Sequence, residues 1–228
     1  MSIQTNLQNI HERIDAACKR ANRNPDDVQL VAVSKTKPAA MIDQAAESGQ
    51  TLFGENYVQE FVAKTEEVTT PVTWHFIGSL QTNKVKYLRG KVAMIHSVDR
   101  LSLAKEIDRQ WSKLDKPVDI LIQVNLGEEE SKSGTDEAAL QDLVRQVAQL
   151  PHVRIRGLMA LPPYLDDPEE VRPFFRRLRQ LADSIAALQL AGVEMRELSM
   201  GMSHDFEAAI EEGATLVRVG SAIFGSRY

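Results

Sequence analysis

Cysteine is nearly absent from this 228-residue chain. Cys18 stands alone, so no internal disulfide can form, and it lies on a helix-like stretch away from any cluster of histidines or aspartates, where packing is its expected role. Long apolar runs are missing too. Nothing approaches the roughly 18 apolar residues of a membrane span, and the polar start Met1-Ser-Ile-Gln-Thr-Asn6 lacks the basic segment and apolar core of a signal peptide. Nor is there an excess of basic residues. With 27 Lys and Arg against 32 Asp and Glu, the net charge of −5 argues against general binding to nucleic acid or an anionic membrane, because both need a basic surface. One phosphate in a local pocket is still compatible with that balance. No Pro/Gly/Ser-rich linker, low-complexity tract or shift of composition marks a boundary. Residues 1–228 are therefore expected to form one domain, cytoplasmic, without a metal site and, for want of a strong apolar patch, monomeric.

What is present is an ordinary globular composition, 43% hydrophobic and 26% charged, arranged as a repeat. Ile3, Leu7, Ile10, Ile14 and Ala17 recur at three- and four-residue spacing, which predicts an amphipathic helix over residues 2–21, stopped before Pro25. Short apolar runs then alternate with helical patterns: Leu30–Ser34, Leu52–Gly54, Thr73–Ile77, Ala93–Ser97, Val118–Asn125, Val153–Met159, Met195–Ser199 and Thr215–Val219. The clearest helix is Pro168–Leu190, with Val171, Phe174, Leu178, Leu181, Ile185 and Leu188 on one stripe. The arginines 172, 176, 177 and 179 lie mostly off that stripe and read as a solvated face. Strands alternating with helices predict a parallel sheet, and eight such units in a chain of this length predict a closed (β/α)₈ TIM barrel, with an open doubly wound sheet as the alternative.

The first strand ends in Val33-Ser-Lys-Thr-Lys-Pro38. Lys35 thus stands at a strand's C-terminal end, which in such folds opens onto the ligand crevice, and a lysine there can form an imine with a carbonyl compound. A solvated lysine at a strand exit is the plain alternative. Near the C-terminus, Ser199-Met-Gly-Met-Ser203 follows the seventh strand. A helix comes next, with Phe206, Ala209 and Ile210 facing inward and a stop at Gly213. Gly220-Ser221 follows the eighth strand and opens a short turn, Ala222–Gly225. Glycine lets the backbone approach an anion, serine hydroxyls donate to it, and these two loops are where barrel enzymes often hold a phosphate. Along Thr215–Gly220 the alternation puts Arg218 on the face of Leu216 and Gly220, pointing into the barrel mouth, where its guanidinium needs an acceptor or a carboxylate such as Glu55. An aldehyde carrying a phosphate, pyridoxal 5′-phosphate, suits this set. Lys35 would carry the aldehyde, the loops the phosphate, and Arg218 would donate to an unprotonated ring nitrogen.

Val31–Pro38, Phe53-Gly-Glu-Asn-Tyr57, Trp74-His-Phe-Ile-Gly78, Arg156-Gly-Leu-Met159, Leu198-Ser-Met-Gly-Met-Ser203 and Val217-Arg-Val-Gly-Ser221 together make the chain resemble the pyridoxal phosphate homeostasis protein family. Its members look like the N-terminal barrel of alanine racemase standing alone. The resemblance implies Lys35 as the imine lysine, and Ser199, Gly201, Met202 (by its backbone), Ser203, Gly220 and Ser221 around the phosphate. It also implies Arg218 beside the ring nitrogen, Asn56 at the cofactor's rim and His75 as a further cofactor contact, although a histidine on a barrel strand also reads as a hydrogen-bonded core residue. Lys37 and Lys132, on the rim loops, are either stations for the cofactor aldehyde or solvated side chains.

Two functions compete. In an amino-acid racemase, bases on both ring faces move the α-proton; alanine racemase takes its second base, a tyrosine, from a neighbouring subunit's C-terminal β-domain, and this chain ends at Tyr228 directly after the barrel. The preferred expectation is a non-catalytic carrier in vitamin B6 and amino-acid homeostasis, with apo forms of cofactor-dependent enzymes as recipients. A Schiff-base aldolase is weaker, since such barrels usually carry the reactive lysine on a later strand.

Overall fold

Short apolar runs that are buried on both faces need helices on one side and a filled interior on the other, and the computed structural model, which describes residues 2–127 and 133–225, supplies both. The strands are β1 (Gln29–Val33), β2 (Leu52–Glu55), β3 (Thr73–Phe76), β4 (Met94–Val98), β5 (Val118–Val124), β6 (Val153–Ala160), β7 (Val193–Met202) and β8 (Leu216–Val219). They lie parallel in chain order, and β8 pairs back onto β1 to close the barrel. The closed barrel, rather than the open sheet, is the fold.

Period-two alternation sorts the side chains. Val31, Leu52, Met94, Leu121, Met159 and Leu216 fill one layer of the interior. Leu30, Ala32, Phe53, Trp74, Phe76, Val217 and Val219 face the helices in a second, larger core. Residues two further along the inward faces, Val33, His96, Gln123 and Arg218, form the next layer towards the C-terminal mouth.

Helix α1 (Ile3–Arg20) buries Ile3, Leu7, Ile10, Ile14, Ala17 and Cys18, so Cys18 is a packing residue. Its polar face is tied to the C-terminal part of the chain: Asn6 Nδ2 donates to Ile223 O at 2.8 Å, and Arg13 pairs with Glu207 at 2.7 Å. Helices α2 (Ala39–Glu47), α3 (Val58–Glu67), α4 (Leu101–Trp111) and α5 (Glu137–Val147) follow. Between β3 and β4 the connection is instead a 3₁₀ segment, Thr82–Tyr87, anchored by buried Val85.

Helix α6 spans Pro168–Ala186, so Leu188 lies beyond it, and its buried stripe runs through Phe175 where the sequence pattern suggested Phe174. Both lie within a turn of Val171, and the i+4 position faces the core while Phe174 packs at its edge. Arg172 and Arg176 bind Glu212, a carboxylate on the loop after α7 (Phe206–Glu211). The strand expected to stop at Ser199 continues through Met202, with a register shift that restores pairing at Met202 and Arg218. Helix α8 (Ser221–Phe224) closes the described chain.

Candidate functional site

At the C-terminal mouth a cavity of about 560 Å³ opens between the ends of β1, β2, β7 and β8. Lys35, two residues beyond Val33 on the inward face of β1, lines it, with Asn56 from β2 and Arg218 from β8. Met202, Ser203, Gly220 and Ser221 line it too, with Gly220 packed against Val33 of β1, and Leu161 and Tyr164 stand exposed at the rim. The two serine loops are joined directly: the Gly220 N–H donates to Ser203 Oγ at 3.3 Å. Lys35, Lys37 and Arg218 face a single lining carboxylate, Asp205, which gives the cavity a cationic balance suited to an anion.

Arg218 is buried, and a buried guanidinium must be bonded. It donates to Ala160 O at 2.9 Å and to Ser199 Oγ, not to Glu55. Burial pulls its pKa down to about 10, which still leaves it charged at neutral pH, and Asp205 nearby favours that charge. Ser199 Oγ also meets His96 Nδ1 at 2.8 Å, and His96 Nε2 meets His75 Nδ1 at 2.9 Å. Arginine has only donors, so Ser199 Oγ accepts from Arg218; the arrangement that also gives the buried serine hydrogen an acceptor sends it to His96 Nδ1, and that tautomer passes its Nε2–H to His75. Burial keeps both rings neutral: the pKa of His75 falls to about 4 and that of His96 well below its ordinary value. A directed hydrogen-bond chain thus runs from the cavity into the barrel interior.

Three of the expected cofactor residues do not line the cavity. His75 and Ser199 belong to this interior chain. Gly201 is buried at φ +88, where a Cβ would come within 2.6 Å of Ala209 Cβ and 2.9 Å of Phe206 Cα, so its place is to let β7 close on α7. Met202 does line the cavity, but its backbone N–H is donated to Asp205 Oδ1 at 2.6 Å. Burial raises the pKa of that carboxyl. Lys37 lines the cavity as well; Lys132 and Tyr228 lie outside the described residues. Sequence reasoning missed Asp205, whose only signal was an aspartate preceding an apolar helix run, and His96, which had none. Among the described residues there is no group of His, Cys, Asp and Glu able to hold a metal ion, and no helix is long and apolar enough to cross a membrane.

Asn56 lines the cavity, and its Oδ1 is buried with no hydrogen-bond partner among the described residues, an acceptor in want of a donor. An amine, two hydroxyls, a charged guanidinium and this orphaned acceptor fit a ring compound that carries an aldehyde, a hydroxyl and a phosphate.

The sequence model described as alanine racemase, N-terminal domain, matches residues 5–228. The pyridoxal phosphate homeostasis protein of Aquifex aeolicus is 49% identical over 222 residues, 97% of this chain and 96% of the relative. That of Escherichia coli K12 is 44% identical over 229 residues, 99% and 97% of the two chains. Among solved structures, PipY of Synechococcus elongatus, with PLP bound, superposes with a TM-score of 0.83 at 40% identity, covering 95% of this chain and all of that one (100%).

Proposed function

The chain belongs to the family of pyridoxal phosphate homeostasis proteins, within the wider alanine racemase N-terminal domain family, and on that footing we propose that it binds pyridoxal 5′-phosphate covalently and serves intracellular vitamin B6 and amino-acid homeostasis as a carrier. The observation that carries the reading is the convergence of Lys35, Asn56, Arg218, Ser203, Gly220 and Ser221 on one cavity from opposite ends of the sequence. Lys35 would hold the aldehyde carbon as an imine. The Ser203 and Ser221 hydroxyls would bind the phosphate, and Asn56 Oδ1 would find its donor in the ligand. Arg218, charged and fixed by Ser199 and Ala160, would donate to the pyridine nitrogen and so keep that nitrogen unprotonated. The bound cofactor supplies an electron sink, and a neutral ring nitrogen makes it a weak one, which favours holding the cofactor over using it. Apo forms of cofactor-dependent enzymes in the cytoplasm would be the recipients, and the carrier would act as a monomer.

Borohydride reduction of the protein incubated with pyridoxal phosphate, followed by peptide mapping, tests the assignment. The adduct should lie on Lys35, and Lys35→Ala should abolish it with the thermal transition unchanged; an adduct on another lysine refutes it. Carrier and racemase are separated by α-proton exchange of amino acids in deuterated water. Exchange at the level of free cofactor supports the carrier, whereas enzymatic exchange lost in Lys35→Ala makes the protein a racemase or a related enzyme.

A further inference from the structure

Lys35 stands between two residues held by one cluster behind the cavity wall, in which Ser34, Glu55 and Lys64 are buried and Glu60 is half-buried. Ser34, fully buried beside it, accepts from Lys64 Nζ on its carbonyl at 2.6 Å and donates its hydroxyl to Glu55 Oε1 at 2.6 Å. Thr36, on the other side, has φ +64, the left-handed conformation that residues with a Cβ avoid. Its N–H is donated to Glu60 Oε1, and that same oxygen takes a hydrogen bond from Lys64 Nζ at 2.6 Å. Lys64 also grips Glu55 Oε1 at 2.6 Å. An ammonium has three donors, and all three are used here, on Ser34 O, Glu55 Oε1 and Glu60 Oε1.

A lysine this deeply buried (4% exposed) is costly unless fully paired, and here the pairing lands on the backbone either side of Lys35: directly on residue 34 and through Glu60 on residue 36. Glycine would adopt the Thr36 conformation freely; threonine keeps it because an acceptor is fixed in place. We infer that Lys64 and Glu60 are positioning residues that lock the β1–α2 turn and hold the Lys35 amine where it can join the aldehyde carbon of the cofactor. That step forms a carbon–nitrogen double bond and releases the carbonyl oxygen as water. The inference rests on the reading of Lys35 given above.

The test compares pyridoxal 5′-phosphate with pyridoxamine 5′-phosphate, which shares the ring and phosphate but has no aldehyde. Glu60→Ala should raise the Kd for the aldehyde about tenfold, the factor that corresponds to the cost of an unsupported left-handed residue. The Kd for the amine analogue should stay within about twofold. Thr36→Gly in the same chain should restore most of the lost affinity, and Glu60→Gln, which keeps an acceptor for Thr36, should lose less than Glu60→Ala. Equal losses for both ligands, no loss, or no rescue by Thr36→Gly overturns the inference. Should the unaltered protein bind the aldehyde no better than the amine and give no reducible adduct, the reading of Lys35 itself falls and takes the inference with it.

Discussion

Ser199→Ala is the sharpest probe of the interior, because one hydroxyl joins the charged end of the hydrogen-bond chain to its neutral end. In the folded protein Ser199 Oγ accepts from Arg218 and donates to His96 Nδ1. Alanine removes both bonds at once and no water-filled space replaces them, since Ser199 and His96 are both fully buried (0% exposed). The ring nitrogen left without a donor costs about 1–3 kcal/mol, and the lost bond to a charged guanidinium about 1.5–3 kcal/mol. Arg218 keeps its bond to Ala160 O at 2.9 Å, which puts the sum at the lower end, about 3–4 kcal/mol. With a urea m-value of about 3 kcal/mol/M, the unfolding midpoint should fall by about 1 M with the slope unchanged. The same substitution should weaken pyridoxal phosphate binding, because the guanidinium loses one of its two anchors. A cost below about 1 kcal/mol would refute the directed chain. So would full additivity with His96→Leu, because removing the orphaned ring should recover part of the loss.

Acid stability should follow the histidines. Burial lowers the pKa of His75 to about 4 from 6.5, so the unfolded chain takes up a proton that the folded one refuses. Stability is then complete above about pH 6.5 and falls as the pH drops towards 4, by about 3 kcal/mol for this ring. Glu55 and Asp205, whose carboxyls are raised by burial, act with the opposite sign, so the contribution is read as the difference between the wild type and His75→Gln. That difference should be constant above about pH 7, where only the altered packing and the bond to His96 contribute, and should shift in favour of His75→Gln as the pH falls towards 4; a difference that does not change with pH would contradict it. Replacing Ser203 and Ser221 together by alanine should weaken pyridoxal phosphate about 100-fold or more, each hydroxyl bond to a charged phosphate contributing about 1.5–3 kcal/mol, and leave pyridoxal nearly unaffected. Equal losses for both ligands in a titration would reject a phosphate cup there.

Local pattern alone determined a good deal of this protein. Eight apolar runs alternating with amphipathic segments, the amphipathic helix ahead of β1, the strand-end place of Lys35 and the inward direction of Arg218 all follow from periods of 2 and 3.6 and from where a run stops. Those features need only a residue's immediate neighbours along the chain. Tertiary structure alone decided the rest. It placed Ser199 in the interior chain, off the cavity lining. It brought His96 within 2.8 Å of a residue 103 positions away. It also gathered Lys64, Glu55 and Glu60 behind the turn that carries Lys35. The Ser199–His96 and Ser34–Lys64 contacts depend on strand order and register, which set distances between residues far apart in sequence. A one-residue slip would turn every such side chain to the opposite face, and local periodicity does not specify the register between strands.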